Sequence, residues 1–175
     1  MNGKYYLAEN ATKSKFLNVA SNSKILHLAT HAQANDKMGD FCFLIFSNRK
    51  DREEKELLYA REIYNLQLKA DLVTLSACET GLGELKKGEG IISLARAFAY
   101  AGAKSIVTSL WQISDVRTKD LMISFYKNLH NGLQKDDALW KAKMDYLHKN
   151  KGEAASPFYW ASFIGIGDMS PLIAK

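Results

Sequence analysis

The spacing of apolar residues changes along the chain between the period of a helix and that of a buried strand. ATKSKFLNVA (11–20) predicts a short helix with a weak apolar face, and SKILHLATH predicts a strand from Lys24 to Thr30 that ends at a histidine. Asn35 to Asp40 is a polar turn, FCFLIFS (41–47) a second strand, and the charged run from Asn48 to Glu56 an exposed connection. LLYAREIYNLQL leads through a short helix into the third strand, DLVTLSA (71–77). The loop CETGLGELKKGEG carries glycines at 81, 83, 88 and 90, too many for a regular element. IISLARAFAYAGA has apolar residues at 91, 94, 95, 98 and 101, a helical period, with Gly102 suited to the helix end. KSIVTSLW predicts a fourth strand. Ser114 or Asp115 caps a helix that stops at Gly132, and Asp136 or Asp137 starts another through ALWKAKMDYLHKN. After Ser156 and Pro157, YWASFIGIGD predicts the last strand.

Strands alternating with helices predict an α/β sandwich with a largely parallel sheet. The near-continuous apolar runs ILHLA and DLVTL fit strands covered on both faces. The 175 residues show no internal repeat, low-complexity tract or linker, so residues 1–175 are read as one domain.

Composition narrows the chemistry. No apolar run approaches the roughly 20 residues that span a bilayer, and MNGKYYLAEN has no signal-peptide core, so no membrane association is expected. With only Cys42 and Cys78 a disulfide framework is not indicated, and a reducing cytoplasm fits. The net charge of +5 is spread and mixed with acids, as in KDREEKELLYARE. A nucleic-acid binder would cluster its cations and interleave them with aromatics, so no nucleic-acid partner is expected.

In an open α/β sheet, sites form at the carboxyl ends of parallel strands. Two such ends carry reactive side chains, His31 after ILHLAT and Cys78 after DLVTLSA, separated by 78 − 31 = 47 residues. A caspase-type order places the histidine about 50 residues upstream of the cysteine. A thiolate there can attack a carbonyl while an imidazole moves the proton. From spacing alone an inert reading is equally open, with Cys78 a small buried hydrophobe and His31 a polar strand cap. A zinc site at His27 and His31 is rejected, since four residues of strand span roughly 13 Å. His27 is read as a core or sheet-packing histidine. GLGELKKGEG lacks the order of a phosphate loop, and the cysteines form no C-x-x-C pair. No metal or cofactor is expected.

HLATHA, the long block LVTLSACETGLGELKKGEGIISLARAFAYAGAKSIVTSLWQISD, and FYWASFIGIGD resemble the CHAT domain. This is a caspase-like, separase-related peptidase domain often found behind TPR repeats in bacteria, and the likeness runs from about residue 10 to residue 168. The resemblance implies a caspase-haemoglobinase α/β/α fold and a Cys-His dyad endopeptidase, with Cys78 as nucleophile and His31 as catalytic histidine. It implies an oxyanion hole from the backbone N–H groups of Cys78 and Ala32, although many relatives have glycine where this chain has Ala32. SLWQISD is similar to a segment whose acid receives a basic side chain before the scissile bond, which makes Asp115 the expected base of that pocket. The alternative is that Asp115 only caps the following helix. CHAT domains usually begin with additional strands, so the chain is expected to be N-terminally shortened and to lack TPR repeats. The expected partners are a protein or peptide substrate, a TPR-containing or other regulatory partner that activates it, and a second copy of the chain. The glycines from 81 to 90 suit a loop that reorders on activation. The rival reading is a non-catalytic CHAT-fold interaction module or inactive fragment.

Overall fold

The computed structural model describes residues 3–33, 41–48, 55–76, 78–79, 89–111 and 115–172. Helix α1 (Lys13–Ala20) begins where Thr12 Oγ1 accepts the Lys15 N–H at 3.4 Å, and it turns Phe16 and Ala20 into the core. Strands β1 (Ile25–Leu28), β2 (His31–Gln33), β3 (Phe43–Ser47) and β4 (Lys55–Tyr59) follow, then a helical turn, α2 (Ala60–Ile63). β5 (Leu72–Leu75) and the short β6 (Cys78–Glu79) lead on to α3 (Glu89–Tyr100) and β7 (Ser105–Ser109). α4 (Asp115–His130), α5 (Lys135–Lys149), the turn α6 (Pro157–Trp160) and β8 (Phe163–Gly167) complete the order.

Two four-stranded sheets form. The central one runs β1-β5-β7-β8, with β1, β5 and β7 parallel and β8 antiparallel to β7. The second runs β4-β3-β2-β6, antiparallel except for the parallel pair β2–β6. Successive side chains of the central strands enter opposite layers. Val73, Leu75 and Ile106 pack with Phe16, Leu94 and Phe98 of α1 and α3. Leu72, Val107 and Phe163 pack with Leu121, Phe125 and Ala142 of α4 and α5. The predicted sandwich is therefore present, and its strands are apolar on both faces because both faces are covered. Removing a side chain such as Phe98 or Phe125 from water contributes roughly 1.5–3 kcal/mol.

Gly102 ends α3 with φ +107°, and a Cβ there would stand 2.6 Å from the Leu68 carbonyl oxygen. The Ala103 N–H closes the turn on the Phe98 carbonyl at 3.0 Å. β7, the fourth strand expected over KSIVTSLW, is thereby delivered beside β5.

Several boundaries differ from the sequence expectation: β3 and β5 are shorter than the runs 41–47 and 71–77, and three further differences have a visible cause. The strand expected over 24–30 ends at Leu28, and the chain resumes as β2 only at His31, because Thr30 Oγ1 turns to donate to the Ile45 carbonyl of β3. The connection expected from Asn48 to Glu56 gives way to β4 at Lys55, paired from Ser47↔Lys55 to Phe43↔Tyr59. The last strand starts at Phe163, because Ser156 and Pro157 open a helical turn first, with Ser156 Oγ accepting the Phe158 N–H at 3.4 Å. The turn expected at 35–40 lies outside the described residues.

Candidate functional site

Two strand ribbons carry the candidate residues. β1 and β2 form one ribbon, separated by residues 29–30, and β5 and β6 the other, with β5 ending at Leu75 and β6 beginning at Cys78. Across β1–β5 Ile25 is the partner of Leu72, and across β2–β6 His31 is the partner of Cys78. The differences 72 − 25 and 78 − 31 are both 47, so the parallel register survives passage from one sheet into the other. The Ser76 N–H donates to the Leu28 carbonyl at 3.0 Å and keeps the ribbons joined through the gap. Positions 31 and 78 are thus side by side on adjacent strands, which lie roughly 4.8 Å apart in any sheet.

The His31 side chain is exposed, while Ala32 is 1% exposed and paired with Leu44 of β3 on one side and Glu79 on the other. Cys78 is placed by its backbone, and the loop after it, 80–88, lies outside the described residues. Asp115 is the first residue of α4, also placed by its backbone, and Ser114 lies outside the described residues. Because β7 runs parallel to β5, its carboxyl end at Ser109 lies at the same end of the sheet as the carboxyl end of β5. Trp111 holds the chain beyond Ser109, its indole N–H donating to the Phe158 carbonyl at 2.8 Å.

One polar layer beneath the pair was not foreseen from the sequence. His27 and Thr74 are register partners four residues before His31 and Cys78. Tyr126 of α4 covers both: its hydroxyl meets Thr74 Oγ1 at 2.9 Å, and its ring stacks on His27 at 5.5 Å between centroids. Burial pushes the Tyr126 hydroxyl up to about 12 and holds His27 below its ordinary value, so both are neutral near pH 7. The signal available was Thr74 itself, a lone hydroxyl in the buried run LVTL, which needs a partner. His27 therefore packs on the sheet as expected, but at an edge, with its side chain still exposed.

Two grooves are formed elsewhere. One of about 260 Å³ lies between α5 and β8, and one of about 350 Å³ between α1 and β4. Neither includes residues 31, 78 or 115. Among the described residues no three His, Cys, Asp or Glu side chains converge as metal ligands would.

The chain is 35% identical over 111 residues to tetratricopeptide repeat protein 28 of Homo sapiens, and 33% identical to the protein of the same name from Mus musculus. Each match covers 63% of this chain and 4% of the relative, so the chain corresponds to a small part of these long proteins. The CHAT domain profile matches residues 2–168, nearly the whole length, and with the three-layer mixed α/β architecture this places the chain in the CHAT domain family, with its caspase-like fold.

Proposed function

We propose that the chain is a caspase-like cysteine endopeptidase domain working through a Cys78–His31 dyad. The observation that carries this reading is the register pairing of positions 31 and 78, the first residues of β2 and β6, beyond the carboxyl ends of the parallel strands β1 and β5. In the proposed reaction the Cys78 thiolate attacks the scissile carbonyl and forms a thioester. His31 gives its proton to the departing amine, then takes one from water as the thioester is hydrolysed. The backbone N–H groups of Cys78 and Ala32 receive the developing oxyanion, a type of donor that contributes roughly 2.7–4 kcal/mol each in other hydrolases. Asp115 accepts a basic side chain before the cleaved bond, pairing with an arginine through two parallel hydrogen bonds.

The substrate is a protein or peptide, and activation comes from a regulatory partner. The tetratricopeptide repeats in the relatives' name support a repeat-bearing segment or protein in that role.

Labelling by a peptidyl acyloxymethyl ketone with arginine at the reacting position tests the nucleophile. Cys78→Ala should abolish labelling and peptide cleavage, and Cys42→Ala, at a buried site, should keep both. Equal labelling of wild type and Cys78→Ala would remove the assignment. For the pocket, Asp115→Asn should lower kcat/KM on an arginine peptide by about ten- to a hundredfold, the worth of a charge-assisted hydrogen bond. A preference for aspartate peptides, or an unchanged arginine preference in Asp115→Asn, would remove that role.

A further inference from the structure

The second sheet has an outer face that begins at His31. On its inner face Ala32, Leu44 and Leu58 are buried in line across β2, β3 and β4. Their neighbours Gln33, Phe43 and Tyr59 form the corresponding line on the outer face, since Gln33 pairs with Phe43 and Phe43 with Tyr59. His31 shares this face, two residues before Gln33, and both side chains are exposed.

The far end of the face carries a cation laid against aromatic rings. The Phe43 and Tyr59 rings meet edge to face, 5.4 Å between centroids. The Arg61 guanidinium lies 4.8 Å from the Tyr59 ring and 5.2 Å from the Phe41 ring, and Arg61 is exposed. Its neighbour in sequence, Glu62, is already engaged. One Glu62 oxygen takes the Lys13 ammonium at 2.7 Å, and the other accepts the Tyr59 N–H at 3.0 Å. Among the described residues Lys13, Lys24 and Lys104 form the ion pairs, and Arg61 forms none. A guanidinium stacked on rings is held in place yet still offers the N–H fork that matches a carboxylate.

The proposed chemistry gives this face a direction. His31 protonates the departing amine, so the substrate beyond the cleaved bond leaves on the His31 side. Asp115 follows β7, on the far side of β5 from β1, and takes the residue before the bond. Tyr59 is two strands across and two residues along from His31. At roughly 4.8 Å per strand and 3.4 Å per residue, that is about 12 Å, which an extended peptide covers in about four residues.

We propose that the outer face of β2, β3 and β4 binds the substrate beyond the cleaved bond, and that Arg61 selects an acidic residue at the fourth or fifth position after it. Phe41 and Tyr59 are positioning residues for the guanidinium. The inference rests on the Cys78–His31 reading, and its test pairs a binding measurement with a labelling measurement so that the two fail separately.

Fluorescent peptides with one arginine and otherwise uncharged residues are titrated against the full chain carrying Cys78→Ala, so that no peptide is cut. A glutamate at the fourth or fifth residue after the arginine should lower Kd by about tenfold relative to glutamine at the same place, the worth of one charge-assisted hydrogen bond. The same glutamate placed before the arginine should give no gain. Arg61→Gln should erase the gain, and Arg61→Glu should transfer it to lysine. Labelling of Cys78 by the peptidyl ketone, which has no residues beyond the reacting carbonyl's leaving group, should be the same in Arg61→Gln as in the wild type. Equal affinity for the glutamate and glutamine peptides would overturn the proposal, as would a gain that survives Arg61→Gln or an equal gain from glutamate before the arginine. Normal labelling beside any of these results would leave the peptidase reading standing. Absent labelling of the wild type, with the Arg61-dependent gain intact, would instead overturn the peptidase reading on which the inference rests.

Discussion

His27 binds a proton less readily in the folded chain than in the unfolded one, because its ring is partly enclosed against Tyr126. An unfolded histidine takes up its proton near pH 6.5, so the stabilisation is fully present above about that pH and declines as pH falls through the window beneath it. Thermal unfolding measured from about pH 7.5 to about pH 5.5 should therefore show a falling Tm. His27→Phe, which keeps a ring against Tyr126, should flatten part of that fall, and an identical slope in the variant would refute the assignment. At this scale the sequence was legible in placing His31 and Cys78 just beyond two apolar strands, where the register pairs them. It was opaque at Tyr126, whose partner Thr74 is 52 residues away and whose helical neighbours Phe125 and Leu129 carry an ordinary core pattern. The roles proposed for Ala32 and Asp115 rest on likeness to a family, since neither residue announces an oxyanion donor or a specificity pocket by its spacing.

Lysines at sheet edges define what individual strands can do. Lys143 bridges from α5 to the Phe163 carbonyl, and burial lowers its pKa. Lys143→Met should keep the packing of the long stem but expose the carbonyl of β8. Sedimentation velocity should then show association of the variant at concentrations where the wild type sediments more slowly, and matching profiles would show that the lysine does not guard the edge. Elements with one clear rhythm were read well from sequence, as α3 shows, with Leu94, Ala95 and Phe98 buried on one side. β4 escaped because KELLY does not alternate; Glu56 and Leu57 are half-buried next to a fully buried Leu58, and pairing with β3 makes it a strand. β8 starts later than its apolar run suggests, since serine followed by proline opens a helix as readily as it closes a loop.

Across the whole molecule, the alternation of strands and helices made the α/β/α sandwich readable, because each central strand must be apolar on both faces when helices cover both. The division into two sheets was not readable, since ILHLATHAQ runs on without a breaker and only the Thr30 contact with the Ile45 carbonyl reveals the step. That step imposes a rule on length. The spacings from Leu28 to His31 and from Leu75 to Cys78 are equal, like two rails cut to the same measure. One alanine inserted after Ala29 should carry His31 out of line with Cys78, and a one-residue slip also exchanges the faces of a strand. A second alanine inserted after Ser76 should bring the pair back into line. Labelling at Cys78 should vanish in the first variant and return in the double one; recovery of Tm without labelling would separate the sheet's needs from those of the site. Changes of length here are tolerated in pairs or not at all, so homologous chains that differ in one gap should differ equally in the other.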